Sequence, residues 1–481
     1  MSDDVYRSLR WMTAARAFAQ IVSWISTIVV MRLLAPADYG LVAMATLFTG
    51  YLLFLGDLGL GTALISRREA DPLVLRAAYG ASMLAGIVLC GLMAGLAPLV
   101  AGYFRNDALI PLVQASALLF LAIGISTVPR ALLAIDMRFR EISLAGMTSS
   151  LISTITTLYL AWAGYGAWAL ILGNLAGSFA RALQMQLYVG GIPRPVLALE
   201  PLRGLFRLSG FLLANMTVWY WYTQIDALIV GRRLGDASLG LLTVGKELAF
   251  MPVSKVVEIT NQVALPAFAR LQDAPAQVAD GYGKSLRLSS IVSFPVLWGL
   301  ALTAQDLVTV VLGGKWQAAV LVIQILAAVM PLRLTGAFAA TVLQGIGRPE
   351  QTFYYNLKTL VLSAIMLLVS TRWGLPGVAI AWAISIPLGF LLGLNAVASC
   401  IPVNRSQILR ELVIAALPAF VMGLAVLGCQ ALLPDASATL RLAISISSGV
   451  LVWLIAARLL TPAPWRELIQ VGGKLLGLRK S

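Results

Sequence analysis

Asn215, Trp219, Tyr222 and Asp226 follow one another at steps of four, three and four residues, which places them on one face of a helix. Aromatic rings with polar edges stack against sugar faces, and Asn and Asp hydrogen-bond sugar hydroxyls, so the stripe suits a carbohydrate. A membrane-interface belt of aromatics is the alternative, yet Trp219 lies about twelve residues into its apolar run. A second polar segment follows, in which Lys246, Glu247, Lys255, Glu258, Asn261 and Gln262 accompany Pro252. Glu247 and Glu258 share a face, Lys255 stands one turn before Glu258, and the proline is expected to break the helix between them. Such a helix cannot face lipid. Lys246 projects from the opposite side to Lys255 and is expected to pair with another helix instead of lining a lumen.

Nearer the N-terminus, Thr13, Arg16, Gln20, Ser23 and Thr27 recur at helical spacing. They line a wet cavity, unless Arg16 snorkels to the headgroups while the hydroxyls bond their own backbone. Asp57, inside the run Gly56-Asp-Leu-Gly-Leu-Gly61, lies about ten residues inside Arg67. Arg16 is its candidate partner, and an ion pair and a coupling-ion site both fit. Arg130 beside Pro129, Arg333 near Pro331, and Lys358 near Tyr354 and Tyr355 add further cations. A charge near the bilayer centre costs on the order of 3 kcal/mol, so buried ionisable groups face a cavity or one another. Cations outnumber acids in this set. Guanidinium and ammonium groups bind phosphate oxygens strongly where water is scarce, which points to a phosphate-bearing lipid as cargo. The candidate cargo contacts are therefore Arg16, Gln20, Arg130, Asn215, Trp219, Tyr222, Lys255, Arg333 and Lys358, and the candidate ion-coupling acids are Asp57, Asp226, Glu247 and Glu258.

The elements that position these residues are membrane spans. Of 481 residues 59% are hydrophobic and 12% charged, and the mean hydropathy of +0.88 is far above that of soluble domains. Apolar runs of roughly twenty residues predict an all-α polytopic protein of about fourteen transmembrane helices. The first begins behind Arg10 with no cleavage site after it, so a retained helix is expected. With both termini cytoplasmic, twenty of the 35 basic residues fall in cytoplasmic segments and seven on the other face, a strong positive-inside bias. The net charge of +14 thus orients the chain and needs no nucleic acid. Cys90, Cys400 and Cys429 sit in apolar stretches and are expected to form no disulfide.

The chain also reads as duplicated. Arg32-Leu-Leu-Ala-Pro-Ala-Asp-Tyr-Gly-Leu41 and Arg232-Arg-Leu-Gly-Asp-Ala-Ser-Leu-Gly-Leu241 share half their positions, each joining one long apolar segment to the next. Two pseudo-symmetric six-helix lobes follow, over 1–200 and 201–404, with two extra helices and a basic cytoplasmic tail over 405–481. An even number of spans per lobe puts the pseudo-two-fold axis along the membrane normal, and such proteins move cargo through the interface between halves. By that reading both copies of the repeat lie on the periplasmic face, as rim or hinge elements.

Three stretches carry a family resemblance: residues 32–46, beginning Arg32-Leu-Leu-Ala-Pro; Asp57-Leu-Gly-Leu-Gly-Thr-Ala-Leu-Ile65; and Ile225-Asp-Ala-Leu-Ile-Val-Gly231 with the loop after it. In these, and along nearly its whole length, the chain resembles Wzx-type polysaccharide flippases of the colanic-acid exporter branch, relatives of multidrug and lipid II exporters. The resemblance implies a two-lobed alternating-access carrier in the bacterial inner membrane. It would move undecaprenyl-diphosphate-linked oligosaccharide units to the periplasmic leaflet for exopolysaccharide, capsule or O-antigen assembly, alongside membrane lipids and other polysaccharide assembly proteins.

Other readings compete with this one. A drug exporter for organic cations would want an acidic lumen, whereas lipid II as cargo stays open. A membrane polymerase or ligase would carry a large periplasmic catalytic loop, and no loop on that face is long enough. No metal cluster or cofactor site is legible, and Gly313-Gly-Lys315 lacks the rest of a phosphate loop, so an ion gradient or the membrane potential is the expected drive.

Overall fold

The computed structural model describes residue 24 and residues 26–56, 60–67, 71–191, 195–196 and 210–475. Among them all regular structure is helical. Among the described residues nine stretches are long and apolar enough to cross a membrane, and two of them, Leu109–Ile135 and Pro349–Ala398, each comprise two α-helices. The protein is a multi-pass membrane protein. The described residues form two compact units. One holds those before residue 210 together with Gly235–Gly240, and the other holds Gly210–Leu234 and everything from Leu241 onward.

The first unit contains α1 (Pro36–Gly56), α2 (Leu60–Arg67), α3 (Pro72–Phe104), α4 (Leu109–Ala117), α5 (Leu119–Ile135), α6 (Phe139–Trp162) and α7 (Ala167–Val189). Asp71 caps α3 by accepting from the Leu73 amide at 2.8 Å, with Pro72 in the first turn, where its missing N–H costs nothing. Small residues let these helices approach closely. Gly177 lies on Ser149 and Ser153, and the Ser149 hydroxyl donates to the Gly177 carbonyl at 2.7 Å. Ser82 of α3 donates to the Gly124 carbonyl of α5 at 2.9 Å. Without water to drive association, such hydroxyl-to-carbonyl and backbone-to-backbone contacts hold membrane helices together.

The two copies of the sequence repeat meet inside this unit. Gly40 rests on the backbone carbonyl of Asp236, and Gly240 on that of Pro36, each so closely that a Cβ would overlap it. Pro36 and Asp236, like Gly40 and Gly240, are 200 positions apart. The contact is therefore its own mirror under exchange of the copies, the signature of a local two-fold axis.

The second unit contains α8 (Gly210–Arg270) apart from Gly235–Gly240, α9 (Pro275–Leu307), α10 (Val320–Gly345), α11 (Pro349–Ser370), α12 (Gly374–Ala398), α13 (Arg405–Leu432), α14 (Ala438–Leu460) and α15 (Pro462–Leu475). Helix α8 is interrupted at Gly235, whose φ of 82° and ψ of −177° are open only to glycine. The break expected at Pro252 does not occur, because the backbone remains helical through it; Pro129 and Pro331 likewise lie within helices. In a membrane, neighbouring helices and local adjustment re-satisfy the carbonyl that a proline frees. The core of the unit is aromatic: Phe268, Tyr282, Phe338, Tyr355 and Phe390 pack with aliphatic neighbours.

Helices α13 and α14, which stand outside the sequence repeat, pack on α9. Arg287 near its start reaches Glu411 of α13 at 3.0 Å, and Asp306 near its end takes a two-pronged contact from Arg441 of α14, with Nε on Oδ2 at 2.8 Å. Nineteen residues of helix separate the two pairs, ~28 Å at 1.5 Å per residue, which is close to the thickness of the hydrocarbon core.

Candidate functional site

The first part of α8 brings its stripe into the interior of the second unit. Asp226 is 1% exposed and accepts from Lys246 Nζ at 2.6 Å, while the same ammonium donates to the Thr223 carbonyl at 3.1 Å. Lys246 lies on the later part of α8, beyond the Gly235 break, so the fold of this one helix back on itself makes the pair. An isolated carboxylate could not be buried so deeply, and the lysine partner neutralises it.

Around this pair the aromatics interlock. Trp382 of α12 lies 5.7 Å beneath Lys246 Nζ and 5.6 Å from the Arg333 guanidinium of α10, which also covers Tyr222 at 5.4 Å. Tyr222 meets Trp382 edge-on at 6.1 Å and Trp219 at 5.7 Å. Two cations therefore lie against one indole ring, and Arg333 contacts two rings with no carboxylate in ion-pair reach among the described residues. One turn or more away, Asn356 of α11 donates to Asn215 at 3.0 Å, both side chains buried. The cluster carries one carboxylate and two cations, a net positive charge in a low-dielectric interior, where such charge acts strongly. Among the described residues the Trp382 indole N–H in the cluster has no partner, nor does the Thr352 hydroxyl, one turn before Asn356 on α11.

Of the residues singled out from sequence, the fold thus gathers Asn215, Trp219, Tyr222, Asp226 and Arg333. Trp219 is 38% exposed and forms the open edge of the group, whereas Tyr222 and Asp226 are closed in by protein. Lys358 of α11, Arg130 at the end of α5 and Glu247 of α8 lie on exposed sides of their helices, apart from this cluster. Arg16, Gln20 and Asp57 lie outside the described residues, and so do the side chains of Lys255 and Glu258. Trp382 and Asn356 were not anticipated. The signal for Trp382 was present: it stands between Ala381 and Ala383 in a helix rich in Gly and Ala, where small neighbours make room for one large ring. Lys246 was expected to pair with another helix, and its partner Asp226 lies on the helical segment before the Gly235 break.

Comparison with known proteins places these features. A family model described as polysaccharide biosynthesis protein matches residues 29–321. The teichuronic acid biosynthesis protein TuaB of Bacillus subtilis is 28% identical over 424 residues, spanning 86% of this chain and 87% of that one. The lipopolysaccharide biosynthesis protein WzxC of Escherichia coli is also 28% identical, over 80% of this chain and 77% of its own length. Among solved structures, the lipid II flippase MurJ in an inward closed conformation superposes with a TM-score of 0.77 at 16% identity, covering 95% of this chain and 99% of that one. An inward-facing MATE family multidrug transporter gives 0.59 at 14% identity, over 79% and 95% of the two chains.

Proposed function

The chain belongs to the family of polysaccharide biosynthesis proteins, and from that premise we propose that it is a flippase for undecaprenyl-diphosphate-linked oligosaccharide. It carries the glycan unit by alternating access from the cytoplasmic to the periplasmic leaflet of the bacterial inner membrane, with both termini cytoplasmic. The relatives named for teichuronic acid and lipopolysaccharide biosynthesis support the cargo class, and the fold shared with MurJ supports a carrier architecture.

The observation that carries this reading is Arg333. Its guanidinium is stabilised by the rings of Tyr222 and Trp382 and by no acid among the described residues, so its planar N–H fork stays available to a diphosphate oxygen. Trp219, at the exposed edge, offers an apolar face to a sugar ring, and the unpartnered Trp382 N–H and Thr352 hydroxyl offer donors. Asp226 and Lys246 complete the charge balance, and a coupling ion would act by competing with Lys246 for the carboxylate. Charge-bearing side chains of the first span, Arg16 above all, would complete the cargo path.

Deleting the gene and weighing the accumulated lipid-linked oligosaccharides by mass spectrometry tests the reading directly. Complete repeat units should accumulate on the cytoplasmic side while surface polysaccharide disappears. Single units displayed outside the cell would instead indicate a polymerase defect, and accumulation of lipid II would assign the cargo to cell-wall precursor.

A further inference from the structure

Helix α9 begins with a polar stretch in which Asp280, Lys284 and Arg287 recur at steps of four and three on one face, and sustained apolar sequence starts only past them. The start of α13 turns Asn404, Gln407 and Glu411 toward it, at steps of three and four. These stripes enclose a cavity of about 340 Å³, within the size range of small-ligand sites. If the ~28 Å of α9 between the Arg287 and Asp306 pairs spans the hydrocarbon core, the cavity, opening at the exposed Asp280 and Lys284, falls in the headgroup layer.

The charges around it differ in how far they are satisfied. Arg287 is held by Glu411 at 3.0 Å and by Glu467 of α15 at 3.6 Å, and Gln407 donates to Glu411 at 3.1 Å. The Asn404 carbonyl oxygen caps α13, accepting from the backbone amides of Ser406 and Gln407. Asp280 and Lys284 make no hydrogen bond or ion pair with a described residue, although acid four residues before base is the favoured order for pairing along a helix. What remains is one carboxylate and one ammonium a helical turn apart, in a cavity whose other charges are matched.

We propose that this cavity binds the zwitterionic phosphoethanolamine headgroup of a membrane lipid, with Lys284 and the Asn404 amide on the phosphate and Asp280 on the primary ammonium. An anionic headgroup would bring no charge for Asp280 to meet. A choline headgroup has no N–H to donate to it, so the site discriminates between the two zwitterions. The inference needs only that α9 crosses the membrane and is independent of the cargo assignment.

Native mass spectrometry of the full-length protein, titrated with phosphatidylethanolamine, phosphatidylcholine or phosphatidylglycerol, reads the preference. Phosphatidylethanolamine should be retained about five-fold over phosphatidylcholine, the size expected of one exposed charge pair. Asp280→Asn should erase that preference without lowering phosphatidylglycerol retention, and Lys284→Met should weaken all three lipids together. Both side chains are exposed, so both variants should unfold at the wild-type temperature. Equal retention of the two zwitterions by the wild type, or an unchanged preference in Asp280→Asn, would overturn the assignment. Preference for phosphatidylglycerol would make this an anionic-lipid site, and displacement of lipid by inorganic phosphate alone would make it a free-phosphate site; either overturns it too. Flippase activity that fails while the lipid preference stands would count against the transport reading alone.

Discussion

The interiors of the two units are built from different materials. Between α6 and α7 of the first unit, glycines, serines and threonines close the gap, and every buried polar side chain described anywhere in that unit is a hydroxyl: Thr49, Ser82, Ser116 and Thr157. In the second unit the buried set includes Asp226 and Asp306, each answered by a cation from elsewhere in the fold, together with the large rings of Trp382 and Tyr222. Small-residue packing is dry, close and intolerant of added volume. A charged aromatic cluster is costly to assemble, and its groups keep donors and charge that a ligand can use. The difference separates a packing surface from a chemically capable one within the described residues.

Substitutions can break that contrast or sharpen it. The largest effect is expected at Asp226→Leu, which strips Lys246 of its buried partner and should cost about 3 kcal/mol in unfolding free energy. Adding Lys246→Leu should recover most of it, as a thermal-unfolding double-mutant cycle would reveal; no recovery would mean the pair is not a closed unit. Next comes Gly173→Val in α7, where a Cβ already overlaps the Thr157 hydroxyl of α6. A cost of about 2 kcal/mol is expected from overpacking, and a neutral result would deny the first unit its tight seam. Asn356→Leu leaves Asn215 buried and unsatisfied, for about 1 kcal/mol. The smallest effect on stability belongs to Arg333→Gln, below about 1 kcal/mol, since only cation–π contacts are lost. Surface polysaccharide should nevertheless fall sharply in that variant at unchanged protein level. Wild-type export by Arg333→Gln would remove the residue from the cargo path.

Sequence spacing made much of this legible. The steps of four, three and four from Asn215 to Asp226 survive as one face of α8, because a helix deep in a membrane has no alternative way to satisfy its backbone. Arg333 was visible for the same reason: a cation in an apolar run must find company. What it found was not legible. Tyr222 and Trp382 come from helices 111 and 49 residues away, and no local pattern encodes which rings a guanidinium will stack on. Lys246 was likewise visible as a charge, but its pairing with Asp226 depends on the reversal at Gly235, a backbone geometry that one glycine permits and no periodicity announces. Pro252, which does announce itself, turned out to lie in continuous helix.

The reciprocal seating of Gly40 on residue 236 and Gly240 on residue 36 has a consequence for how such a chain can change. A self-matching contact is specified once and used twice, so a single stretch of ten residues carries the instructions for both of its sides. Drift at one copy is limited by the other: a side chain at position 40 would meet the backbone of 236, and one at 240 the backbone of 36, and no change of side chain at those partners removes a carbonyl. Positions 36 and 236 are therefore free to differ, and do, as Pro36 and Asp236, while glycine stands at both 40 and 240.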